Sequence, residues 1–143
     1  MRRKKNWNIL RRLTPFCFLL STFCMSCDKQ EMLYNSWNLQ KVTMNGEPLN
    51  DSLQFNLIPY STHYTFYYAN SLTVRTFALG QITTSSNGYY QLGNNSTLDM
   101  HFTILNRTYD INAKIKKLTK RELNLEYEDN GDNYFLKLFA NLN

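Results

Sequence analysis

Between residues 97 and 139 apolar and polar side chains alternate almost without interruption, and this period of two restricts the fold more than any other feature of the chain. "TLDMHFTIL" (97–105) sets Leu98, Met100, Phe102 and Ile104 against Asp99, His101 and Thr103. A helix would repeat every 3.6 residues, so these residues belong to a strand with one buried face. "TYDINAKIKKL" (108–118) repeats the pattern with Tyr109, Ile111, Ala113 and Ile115, and "ELNLEYEDNGDNYFLKLF" (122–139) folds back on itself at Asn130-Gly131. Asn-Gly suits a two-residue hairpin because both central positions need positive φ.

The same reading extends upstream. "LYNSWNLQKV" (33–42) is anchored by Leu33, Trp37 and Leu39, and "MNGEPLND" (44–51) turns the chain through Asn-Gly and Pro. "LQFNLI" (53–58), "THYTFYYA" (62–69) and "LTVRTFAL" (72–79) read as strands, the second with Tyr64, Phe66 and Tyr68 on one face. "QITTSSNGYYQL" (81–92) predicts a further hairpin turning at Asn87-Gly88. The result is an all-β chain of eight or nine antiparallel strands with hairpin-length connections and no helical pattern.

An open meander of that size leaves two unpaired edges, and closure into an up-and-down barrel removes both. We therefore expect a barrel, with a β-sandwich as the alternative that strand counting leaves open. Eight strands enclose an interior that side chains can fill or that can hold one small ligand.

The first 26 residues have a different grammar. Arg2, Arg3, Lys4, Lys5, Arg11 and Arg12 precede the uncharged, largely apolar stretch 13–25, and no acid occurs before Asp28. At 13 residues that stretch falls short of the roughly 20 that span a bilayer as a helix. A basic start, a short apolar run and small residues before a cut form a secretory signal peptide. Removal of residues 1–26 leaves 10 Lys and Arg against 11 Asp and Glu, so the basic isoelectric point belongs to the leader. A near-neutral remainder gives no support to a nucleic-acid partner.

All three cysteines, Cys17, Cys24 and Cys27, lie in or beside this leader. Cys24 and Cys27 have C-x-x-C spacing, but one of them sits in the apolar run and no βαβ pattern follows, which disfavours a redox pair. A zinc site would need four suitably spaced ligands. "CMSC" before Asp28 resembles a bacterial lipoprotein box, in which a small residue precedes the cysteine that becomes the lipidated first residue of the mature chain. Ser26 fits the position before the cut and makes Cys27 the acceptor; Cys24 would follow the bulky Phe23. The resemblance implies three acyl chains, enough for stable anchoring where one is marginal. The expected organisation is a signal peptide (1–26), a lipidated cysteine with a short tether (27–32) and one barrel domain (33–143).

"LYNSWNLQKVTMNGEPL" resembles the opening of the lipocalin-like lipoproteins of Bacteroidota, and "IKKLTKRELNLEYEDNGDNYFLKLF" is similar to their ending. The resemblance implies a lipocalin-like barrel, lipid-anchored in the cell envelope at the outer membrane, and a small apolar or amphipathic ligand in its cup. Fold alone does not assign function.

Tyr64, Phe66, Tyr68, Tyr90, Met100 and Phe102 are the candidate cup, with Tyr89, Tyr109, Tyr127 and Tyr134 as further aromatic candidates. Rings with hydroxyl tips suit a pocket that is apolar with a few orienting groups. The plainer reading is that they are core and surface residues of an ordinary β protein. Trp37 is expected to be a structural plug at the closed end.

No recognised nucleophile triad, zinc motif or phosphate loop can be assembled, so no enzyme, metal or cofactor is expected. His63 and His101 stand on separate strands and read as structural. "KIKKLTKR" (114–121) can face an anionic lipid surface or glycan, or be a solvated hairpin balanced by Glu122, Glu126, Glu128 and Asp129. "DSL" (51–53) resembles a Bacteroidota O-glycosylation site with Ser52 as acceptor. Two functions remain: a lipid-anchored ligand-binding barrel, or an accessory lipoprotein docked on an outer-membrane protein complex.

Overall fold

The computed structural model describes residues 28–49, 62–78 and 81–141. Cys27, Ser52, the leader and the expected strand over 53–58 lie outside the described residues. The chain divides into two compact units, Met1–Glu31 and Met32–Asn143. In the first, residues 28–31 are helical.

The second unit is a barrel. Its strands are β1 (Ser36–Met44), β2 (Glu47–Pro48), β3 (Thr62–Phe66), β4 (Ser71–Ala78), β5 (Gln81–Leu92), β6 (Thr97–Ile104), β7 (Arg107–Leu118), β8 (Glu122–Asp129) and β9 (Asp132–Ala140). Each pairs antiparallel with its neighbour, and β1 also pairs with β9, so β1 and β3–β9 close an eight-stranded up-and-down barrel while β2 adds a short extra strand on β1. A sandwich is excluded by that last pairing.

Closure follows from local chemistry. The expected Asn-Gly turns occur at Asn45-Gly46 (φ 52° and 86°) and Asn130-Gly131 (φ 54° and 86°), where both residues take the left-handed conformation. They meet across the β1–β9 join: Asn45 Nδ2 donates to Asp132 Oδ1 at 2.8 Å, and the Asn133 amide donates to Asn45 Oδ1 at 2.9 Å. Register shifts between Leu39 and Lys41, Thr76 and Phe77, and Ile115 and Lys117 mark bulges that add the coiling a small barrel needs.

Three expectations are corrected. The first strand begins at Ser36, because residues up to Leu33 are helical. Tyr68 does not continue β3 but lies in a single 3-10 turn, Tyr68–Asn70, where Ala69 has φ 59°. Asn87-Gly88 is not a hairpin turn; both residues lie inside β5. Gly88 is required for another reason: a Cβ there would stand 2.1 Å from the His101 carbonyl oxygen and 2.9 Å from Phe102 Cβ. Here β6 crosses so close to β5 that only a residue without a side chain fits. Beyond this point the β5–β6 pairing stops, covering only Tyr89–Leu92 against Leu98–His101.

The interior is filled with apolar side chains. Trp37, Leu98, Leu123 and Leu136 are fully buried, and Phe66, Met100 and Phe102 are 2–3% exposed. One end of the barrel gathers the turns at 45–46, 105–106 and 130–131; the other gathers the start of β1, the 68–70 turn and the links at 93–96 and 119–121. We call these the mouth and the closed end.

Candidate functional site

The expected cup residues separate into two groups. Tyr64, Phe66, Tyr90, Met100 and Phe102 all point inward and are buried. They are packed against one another: Phe66 meets Tyr90 edge-on at 5.0 Å, and Tyr64 meets Phe102 at 5.9 Å. They fill the barrel interior, because alternating large rings from facing strands interdigitate. Tyr68 is 73% exposed and stacks obliquely on Tyr34 at 4.1 Å, apart from the other five.

Trp37 occupies the closed end. Its ring is wholly buried and its Nε1 donates to the Leu33 carbonyl at 3.0 Å. Nearby, the Tyr90 hydroxyl donates to the Tyr67 carbonyl at 2.8 Å. The polar tips of both aromatics at this end are thereby satisfied.

The mouth is different. The last inward residues of β7, β8 and β9 are Tyr109, Tyr127 and Tyr134, placed there by strict alternation with Ile111, Leu125 and Leu136. Tyr127 and Tyr134 stack at 5.1 Å, and Tyr109 stacks on Phe102 at 5.2 Å. With Arg107, Thr108, Asp110, Ile111 and Asp129 they line a cleft of about 80 Å³. Arg107 lies over the Tyr109 ring, 5.1 Å from its centre, and its Nη2 stands 3.8 Å from Asp129 Oδ2. Leu105 at the rim is half exposed and held at φ 48°, a conformation that costs an ordinary side chain energy.

Below this ring the Tyr64 hydroxyl is buried without a hydrogen-bond partner among the described residues. Burial, with the Tyr109 hydroxyl second, pushes its pKa up. Tyr127 shifts the same way, through burial first and then its neighbours Tyr64 and Tyr134. Tyr109 is raised by burial against the opposing pull of Arg107. All three are therefore neutral phenols at physiological pH, each able to donate and accept a hydrogen bond. This is chemistry for orienting an oxygen-bearing group, and it holds no nucleophile.

The alternation placed Tyr109, Tyr127 and Tyr134 on inward faces; what it did not supply was their convergence at one end. Arg107 and Leu105 were missed altogether, and Asp129 was read only as a counter-charge to the 114–121 run. Their one sequence signal is position beside a turn, which carries no chemistry until the strand order is known.

The histidines stay apart. His63 packs on the Phe77 ring at 4.2 Å, and desolvation, then Arg75, lowers its pKa. His101 bonds to Asp110 and stacks on Tyr89 at 4.8 Å, on the outer face of the sheet. Tyr89, Gln91, Asp99, His101, Asp110 and Asn112 border an outer depression of about 250 Å³. Register accounts for its contacts, since Tyr89, His101 and Asp110 are directly cross-strand, as are Gln91, Asp99 and Asn112. Among the described residues, no three His, Cys, Asp or Glu side chains come together as metal ligands.

No family model matches the sequence, and no curated protein matches it. Among solved structures the chain is similar to a lipocalin-like protein from Bacteroides uniformis ATCC 8492, at 14% identity, with 74% of this chain and 97% of that chain covered and a TM-score of 0.48. It is also similar to an uncharacterized protein from Bacteroides eggerthii DSM 20697, at 12% identity, with 73% of this chain and 98% of that chain covered and a TM-score of 0.47.

Proposed function

We propose that this chain is a non-catalytic, lipid-anchored cell-envelope protein of lipocalin-like form, held by acyl chains on Cys27, that binds a small amphipathic molecule at the tyrosine-lined mouth. The observation that carries the reading is the buried Tyr64 hydroxyl, which has no hydrogen-bond partner among the described residues. Leaving a buried hydroxyl unpaired costs about 1–3 kcal/mol, and replacing it by a group of the same shape without the oxygen removes that cost. A phenylalanine would fill the same space, so the hydroxyl is better explained by a partner that arrives from outside. A ligand with an oxygen-bearing head and a short apolar body suits the site. The head reaches the phenols and Arg107, and the body lies against Leu105 and the stacked rings.

A second reading is favoured by the packed interior together with aromatics left outside. Tyr67, Tyr68, Tyr89 and Phe139 are exposed to between 36% and 73%. An accessory lipoprotein that docks on an outer-membrane protein complex would keep its contact residues on the outer wall.

Tyr64→Phe separates the two. On the ligand-binding reading the ligand-free variant is more stable than the parent by about 1 kcal/mol in urea titration. It also retains a compound co-purifying with the parent at least tenfold less well. A variant less stable than the parent, with retention unchanged, would mean that the hydroxyl already has its partner and would remove the ligand argument.

A further inference from the structure

The basic run 114–121 has no part in the mouth, and its placement is informative. Lys114, Lys116, Lys117, Lys120, Arg121 and Lys137 lie in the closed-end half of β7–β9 and in the link between β7 and β8. The acids among them are Glu122 and Glu126, which are already engaged, and Asp99 in the same half of β6 accepts from Asn112 Nδ2. Glu122 is bonded by Lys117 at 2.6 Å and approached by Lys137 at 3.6 Å, and Glu126 is bonded by Lys116 at 2.9 Å. Among the described residues Lys114, Lys120 and Arg121 form no ion pair. The mouth half reverses this balance, with Glu47, Glu128, Asp129, Asp132 and Asp110 against Arg75 and Arg107. The domain is thus electrically polarised along the barrel axis.

Two further observations coincide with the positive end. Tyr67 and Tyr68, 43% and 73% exposed, project from the turn there. That turn is continuous with the 119–121 link through backbone hydrogen bonds, from Phe66 to Asn35, Asn141 to Ser36 and Ala140 to Arg121. The domain's own chain also starts at this end, since Leu33 and Asn35 bond to Trp37 and Phe66. Five Cα–Cα steps join Cys27 to Met32, a reach of at most about 18 Å.

We propose that the closed end is a docking surface for an anionic lipid bilayer, with Tyr67 and Tyr68 among the headgroups, Lys120 and Arg121 against lipid phosphates, and the mouth turned away into the aqueous phase. The proposal rests on the lipid-anchor reading of Cys27. Tyrosine favours the interface because its ring is apolar and its hydroxyl wet, and juxtamembrane Lys and Arg are attracted to anionic lipid. Such a surface binds lipid more strongly at low ionic strength.

The test uses the mature protein taken from its host membrane, carrying Tyr68→Trp, with the mass on Cys27 read first. The protein is reconstituted into vesicles of phosphatidylglycerol and phosphatidylcholine, with and without bromine on the acyl chains. Bromolipid should quench the new tryptophan above the constant background of buried Trp37. Lys120→Glu with Arg121→Glu should reduce that quenching at least threefold, and high salt should do the same. Emission identical in brominated and plain vesicles, from protein whose Cys27 is acylated, would overturn the docking surface and leave the anchor intact. A chain lacking lipid on Cys27 would sink the anchor reading. Co-sedimentation with the same vesicles then decides the surface: salt-sensitive binding lost in the double variant sustains it, and no binding, or binding to acidic protein alone, overturns it.

Discussion

Trp37→Ala should lower the unfolding free energy by about 4 kcal/mol, the cost of emptying the site of a fully buried large aromatic. Two features place it at the upper end of substitutions in this core. The ring is 0% exposed at the position where β1 faces Tyr64 on β3 and Ala140 on β9. The β1–β3 pairing spans only Ser36–Asn38, so there is little ladder to hold that join once the ring is gone. The substitution also strands the Leu33 carbonyl that Nε1 now satisfies. Trp37→Phe keeps most of the volume and loses chiefly the hydrogen bond, for about 1.5 kcal/mol. Urea titration followed by far-ultraviolet dichroism measures both, and a Trp37→Ala loss below that of Trp37→Phe would show that the closed end does not depend on the plug.

Gly88→Val should cost about 3 kcal/mol, more than a change at either turn glycine. A Cβ at position 88 meets backbone at 2.1 Å, and backbone cannot swing aside as a flexible side chain can. Gly46 offers the contrast, since its φ is +86° but nothing lies within 4 Å of a Cβ built there. Gly46→Ala therefore pays only for the left-handed conformation, about 1 kcal/mol. Turn chemistry read from sequence treats these two Asn-Gly pairs alike. If Gly88→Val proved milder than Gly46→Ala, β5 and β6 would not cross as closely as described.

These two residues show what was legible in the sequence. Trp37 stood out as a single large apolar residue at the start of an alternating strand, and its plug position needed only the strand order. Asn130-Gly131 and Asn45-Gly46 follow from a local conformational demand, which a dipeptide expresses by itself. Asn87-Gly88 has the same letters but answers a long-range demand, the approach of β6 to β5, and no local pattern distinguishes the two. Inward-facing positions on β6–β9 were readable because one face of each strand is wet. On β5 the run "ITTSSN" offers no such contrast, and β6 pairs with only four of that strand's 12 residues, Tyr89–Leu92. Whether the inward rings form a cup was hard to read for a related reason. Alternation tells which rings point inward, but whether inward rings line a space or fill it depends on how facing strands interdigitate. Tyr64 and Phe102 meet ring to ring, and the tyrosine hydroxyls converge only where three hairpins end together.

Ligand binding at this mouth requires a small molecule that meets those hydroxyls. Its most direct test is native mass spectrometry of the protein gently extracted from its host membrane, with the mass on Cys27 read in the same spectrum. The account predicts a stoichiometric small molecule on an acylated chain, released in the Tyr64→Phe variant. Acylated protein that carries no small molecule and instead retains membrane proteins would contradict it and leave the docking lipoprotein as the reading that fits.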